Sequence, residues 1–259
     1  LLKPRQELGP RPEKWWLERH IQSRIALREN DVDLAYRLAS EHGQKAGGFS
    51  FAQAEWLSGW IALRHVKNPN QALYHFGLLH KTVRYPVSLA RAAYWAGRAN
   101  TALGKNNDAA SWYKAAARYP ATYYGQLASQ AIVDSGSWLM PKEPTPTAAA
   151  IVNFKKRELI QLSHMLAELG QEKLLRPFLL YLADIANNPS ERTLVARLGA
   201  DLGQSALAVR TAKISLRQGT FLPQTGYPVL AALPPMKIEP ALIHAVARQE
   251  SEFNPRAVS

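Results

Sequence analysis

The segment RQESEFNPRAVS, Arg248 to Ser259, holds the side chain whose placement most suggests chemistry. A helix opening at Pro240 and running to about Phe253 is expected, because proline suits a first turn and Asn254-Pro255 ends it. On a wheel of about 100° per residue, Leu242, Phe253, Val246 and Ile243 share an arc of roughly 100°. Glu250 falls inside that arc, at about 80° from Leu242. His244, Arg248, Ser251 and Glu252 fall on the opposite half. A carboxylate among apolar neighbours is expected to favour its neutral acid. A protonated carboxyl near neutral pH is the profile of a general acid. Two plainer readings stand beside it. Glu250 could be salt-bridged, or could lie where the stripe has already reached solvent.

The elements that must position this glutamate are helical throughout. Start and stop signals recur along the chain. One helix starts near Asn30-Asp31 and stops at Gly43. Another starts at Ser50 and covers FAQAEWLSGWIALRHV. Asn68-Pro69 and Pro86 open the next two, and Asn106 to Asp108 open a further one. Two of these helix pairs echo each other. Gly59 matches Gly97, Ala72 matches Ala109, and Phe76 matches Tyr113. Small residues at a helix crossing let backbones approach, and the aromatic fills the remaining gap. That is the pattern of tetratricopeptide-like pairs, which stack into a curved superhelix. The fold class expected is therefore all-α.

Two breaks divide the chain. Prolines 141, 144 and 146 mark residues 135–147 as a Pro-rich loop. After it, helices resume at Ala148, with closing glycines at Gly170, Gly203 and Gly219. Residues 218–239 are too proline-dense for a continuous helix and read as a linker. The expected organisation is a superhelical domain over 1–217, this linker, and a new domain opening at 240–259.

Composition narrows the chemistry. The 259 residues contain no cysteine, which excludes disulfides, thiol nucleophiles and thiolate metal sites. The seven histidines show no metal-ligand spacing, so no metal or other cofactor is expected. No apolar run reaches the roughly 18 residues of a membrane span. The formal charge of +12 favours polyanionic partners: nucleic acid, an anionic membrane or a carboxylate-rich wall polymer.

The stretch IEPALIHAVARQESEFNPRAVS resembles the opening of the catalytic domain in soluble lytic murein transglycosylases, whose catalytic domain is lysozyme-like. ARQESEFNPRAVS, with Glu250-Ser251, is its most specific part. YPVSLARAAYWAGRA, AASWYKAAARYPATYYGQLA and TGYPV resemble the helical superdomain and linker of that family. The likeness covers residues 55 to 259. It implies a superhelix curled into a U or ring, with the catalytic domain resting on it. It implies cleavage of the β-1,4 bond between N-acetylmuramic acid and N-acetylglucosamine, leaving 1,6-anhydromuramoyl ends. It gives Glu250 the roles of acid and then base, and Ser251 that of a substrate-orienting neighbour. It further implies peptidoglycan glycan strands as partner, other cell-wall proteins as further candidates, and a periplasmic location reached after loss of a signal peptide.

Glu252, about 200° from Glu250 on the wheel, would not share a cleft with it. One carboxylate suits a substrate that brings its own nucleophile, whereas ordinary glycosidases use two. The family's later Gly-Leu-Met-Gln segment and its tyrosine and asparagine motifs do not follow Ser259. The chain by itself is accordingly expected to be inactive. Two other readings compete: a non-catalytic tetratricopeptide-like scaffold binding peptide, protein or glycan, and a basic solenoid for nucleic acid. The last is disfavoured because the aromatics sit at packing positions rather than as stacking platforms.

Overall fold

The computed structural model describes residues 11–132, 140–230, 237–255 and 257. Every regular element among them is a helix. The chain divides into two compact units, Leu1–Leu139 and Met140–Ser259.

Unit 1 runs α1 (Pro12–Arg28), α2 (Val32–Ser40), α3 (Phe49–Arg64), α4 (Pro69–Thr82), α5 (Pro86–Ala102), α6 (Asn106–Ala117) and α7 (Tyr123–Ile132). Local chemistry sets most starts. Asp31 accepts from the Leu34 N–H at 3.0 Å, and Asn68 from the Gln71 N–H at 3.1 Å. Each supplies an acceptor for an amide that the first helical turn leaves unpaired. Pro69 and Pro86 occupy first positions, where no N–H is needed. Gly104 closes α5 with φ 71, a conformation that L side chains rarely adopt.

Consecutive helices pack on one another from α1 to α7. The echoed glycines explain the closeness. A Cβ on Gly59 would stand 2.6 Å from the Phe76 ring, and one on Gly97 would stand 2.6 Å from the Tyr113 ring. Phe76 is fully buried between α3 and α5, among Ala62, Ala72, Ala96 and Ala99. Helix α1, which opens on Pro12 and carries Glu13 in its first turn and Arg28 in its last, lies outside the helices expected from the sequence. It is anchored by buried Arg19, whose Nε donates to the Leu38 carbonyl at 2.9 Å, near the C-terminus of α2. A cation there also suits the negative end of the helix dipole.

Unit 2 runs α8 (Ala148–Lys155), α9 (Glu158–Glu168), α10 (Glu172–Ile185), α11 (Pro189–Asp201), α12 (Ser205–Arg217), α13 (Pro223–Gly226) and α14 (Pro240–Glu250). Its core joins Leu175, Leu179 and Leu182 of α10 to Ile160 of α9 and to Val195 and Leu198 of α11. Thr147 caps α8 and Asn188 caps α11. In the Pro-rich loop, residues 140–147 are non-helical and 135–139 lie outside the described residues. Of the 218–239 linker, residues 231–236 lie outside them as well, and residues 223–226 form the short α13. No helix among the described residues is long and apolar enough to cross a membrane.

Candidate functional site around Glu250

Contacts through Lys213, Arg248 and His244 place α14 on the rest of unit 2. Lys213 Nζ on α12 reaches the Arg248 carbonyl at 3.1 Å and Glu252 Oε1 at 3.0 Å. Arg248 Nε donates to the Gly226 carbonyl at 2.7 Å, and its guanidinium lies 4.0 Å from the centre of the Tyr227 ring. The Leu230 N–H donates to His244 Nε2 at 2.9 Å, while His244 Nδ1 donates to the Pro240 carbonyl at 2.7 Å. This second bond sets the histidine tautomer.

The receiving surface has its own support. Glu143, buried in the Pro-rich segment, accepts from the Gln224 and Thr225 N–H groups at 3.0 and 3.2 Å. A carboxylate at the first turn of α13 satisfies its free amides. Glu143 Oε1 also meets Arg197 Nε at 3.4 Å. Gly226 and Tyr227, which receive Arg248, follow directly from that fixed turn.

The docking side of α14 is therefore its polar half. The apolar arc, expected to face a core, is only partly covered among the described residues, with Ile243 and Phe253 half-buried. Leu242 is 56% exposed and Val246 53%, and α14 buries no residue. The physical reason is competition between faces. Arg248, His244 and Glu252 find charged or carbonyl partners on α12, α13 and the chain after α13. Among the described residues, Leu242 and Val246 stay more than half exposed.

Glu250 is the last helical residue and is exposed. It makes no ion pair or side-chain hydrogen bond among the described residues. This placement matches the plainer reading of a glutamate at the helix end in solvent, and Leu242 and Val246 on the same arc are open too. Ser251 caps the helix, and its Oγ donates to the Ala247 carbonyl at 3.0 Å. The helix stops there rather than at Phe253. Glu252 (φ 53) and Phe253 (φ 61) both take left-handed backbone, which two non-glycine residues adopt only when their surroundings hold them. Lys213 at 3.0 Å and Arg210 at 3.6 Å provide that hold on Glu252. The wheel angle assigned to Glu252 thus no longer applies. Its carboxylate is engaged with two cations. Arg256, Val258 and Ser259 of the motif lie outside the described residues.

Unit 1 holds a buried carboxylate of its own. Glu55 stands within FAQAEWLSGWIAL on α3 and is 1% exposed. His42 Nε2 donates to its Oε1 at 2.8 Å, and His75 Nδ1 to its Oε2 at 2.6 Å. The Gln44 N–H donates to His42 Nδ1 at 2.9 Å, so the ring hydrogen sits on Nε2. Tyr36 completes the chain at 3.0 Å from His75 Nε2. Burial alone would push the Glu55 carboxyl up, but the hydrogen bonds from His42 and His75 hold it down at about 2. These groups saturate one another, which marks the cluster as a structural tie across α2, α3, α4 and the loop after α2. The signal that could have found it is the one used for Glu250, a charged residue within an apolar helical run.

Comparison of the whole chain with protein-family profiles and with curated proteins finds no match.

Proposed function

We propose that this chain carries the tetratricopeptide-like superhelix, the linker and the opening catalytic helix of a periplasmic lytic murein transglycosylase. Glu250 is its acid and base. The carboxyl protonates the glycosidic oxygen between N-acetylmuramic acid and N-acetylglucosamine, and the bond to the muramoyl C1 breaks. The carboxylate then takes the proton from the muramoyl 6-hydroxyl, whose oxygen closes onto C1 as the 1,6-anhydro ring. Water is not consumed, and no second carboxylate is needed. Ser251 orients the sugar beside Glu250.

The observation that supports this reading best is the division of labour around α14. The polar half is fastened by Lys213, Arg248 and His244. The half bearing Leu242, Val246 and Glu250 is left open, and the neighbouring carboxylate Glu252 is held by two cations. A helix presented this way offers an apolar face around one free acid to whatever completes a sugar cleft. Covering that face would desolvate Glu250 and favour its acid form.

The test is release of anhydromuropeptides from purified sacculi. A polypeptide that continues past Ser259 through the family's later motifs should release them, and Glu250→Gln should abolish release while the helical circular dichroism stays unchanged. Residues 1–259 alone should release little. Undiminished release by the Glu250→Gln variant would remove Glu250 from the mechanism.

A further inference from the structure

Unit 1 contains a half-open cavity of about 530 Å³ between α1 and α3. Its walls are Ile21 and Ile25 of α1 and Trp56, Leu57 and Trp60 of α3. That volume is within the usual range for a small-molecule site, about 300–1,000 Å³. The aromatic side is rigid. Trp56 and Trp60 stack at 6.2 Å with an interplanar angle of 21°, and the Arg91 guanidinium lies 5.0 Å from the Trp56 ring centre on the same residue. A wall that is already ordered loses little entropy when a ligand settles on it.

The remaining lining is His20, Leu27 and two cations, Arg24 and Arg28. Arg24 and Arg28 stand one helical turn apart on α1, both exposed, and neither forms an ion pair among the described residues. Like charges at this spacing repel, and an anion between them relieves the repulsion. His20, on the same lining, is not a third cation at neutral pH. Burial and then Arg24 lower its pKa. Apolar surface continues away from the arginines through Ile21, 43% exposed, to Leu17, 57% exposed. From Ile21 to Arg28 the helix rises about 10 Å. The exposed surface therefore grades along α1 from apolar at Leu17 and Ile21 to positive at Arg24 and Arg28.

We propose that this cavity binds a small amphiphilic carboxylate, its apolar chain on Ile21, Ile25 and the Trp56–Trp60 pair and its carboxylate between Arg24 and Arg28. The assignment does not rest on the murein reading, since α1 and α3 belong to the unit that lacks Glu250.

Octanoate is a suitable probe, with octanol as its uncharged counterpart. Octanoate should change the tryptophan fluorescence saturably and shift the His20 ring resonances. Octanol should bind about tenfold more weakly. The Arg24→Gln/Arg28→Gln variant, altered only at exposed positions, should lose about tenfold in octanoate affinity and leave octanol unchanged. Ile21→Trp, which fills the cavity from its exposed side, should weaken both ligands, with the melting temperature as the control for folding. Equal affinity for octanoate and octanol, an unaltered octanoate affinity in the arginine variant, or no saturable response to octanoate would each overturn the proposal.

Discussion

Lys213 Nζ lies 3.0 Å from Glu252 Oε1 and engages that glutamate, two residues beyond Glu250, rather than Glu250 itself. This ion pair orients the end of α14. It holds the turn after the helix on α12 and leaves Glu250 on the open side. Replacing Lys213 by Met should loosen residues 247–253, since the ammonium also binds the Arg248 carbonyl. The pair is partly exposed, so its loss is expected to weaken the local structure by about 1 kcal/mol. Faster amide exchange confined to the Ser251 and Phe253 N–H groups would show it. Unchanged exchange would mean that Arg210 alone suffices.

Glu250→Gln should leave the stability of this chain within about 0.5 kcal/mol of the parent, as expected for an exposed residue with no partner. Thermal unfolding by circular dichroism decides it. A large loss would reveal a structural contact for Glu250 and undermine its assignment as a free acid.

Glu55 should behave in the opposite way. Glu55→Gln turns an acceptor pair into one acceptor and one donor, so one histidine N–H loses its partner inside the core. The expected loss is about 1–3 kcal/mol. The pH dependence has a definite sign. The folded carboxyl titrates near 2 and an unfolded one near its ordinary value of 4.5. The unfolded chain therefore takes up protons first as pH falls. The stabilisation is complete above about pH 4.5 and declines progressively between there and pH 2, by roughly 3 kcal/mol in all. Acid titration of the melting temperature should show this slope in the parent and a shallower one in Glu55→Gln.

Gly59→Ala and Gly97→Ala should each destabilise unit 1 by about 1–3 kcal/mol, since the new methyl would meet an aromatic ring at 2.6 Å. Combining Gly97→Ala with Tyr113→Leu should recover part of the loss. Additive losses in calorimetry would show that the ring is not what the methyl meets.

Much of unit 1 was readable from its residues. Asp31, Asn68 and the prolines at 69 and 86 act within one turn of their own position, so their effect needs no tertiary partner. The Gly59–Phe76 and Gly97–Tyr113 pairs were legible because a missing side chain and a large ring are complementary in volume. Helix α1 was not, because its anchor, Arg19, is answered by carbonyls of α2 about twenty residues away.

The amino-acid order by itself determined that Leu242, Val246 and Glu250 share one side of α14, for the helical repeat is a property of the backbone. Which side would be covered was decided only in three dimensions. Lys213 and the carbonyl of Gly226 lie far along the chain from the residues they hold, and they drew the polar side inward. The same limit applied to Glu55. Its place in an apolar run was visible, but whether a buried carboxylate is tied or free depends on partners that the fold alone brings near. His42 and His75 tie Glu55, whereas Glu250 is left on an open face.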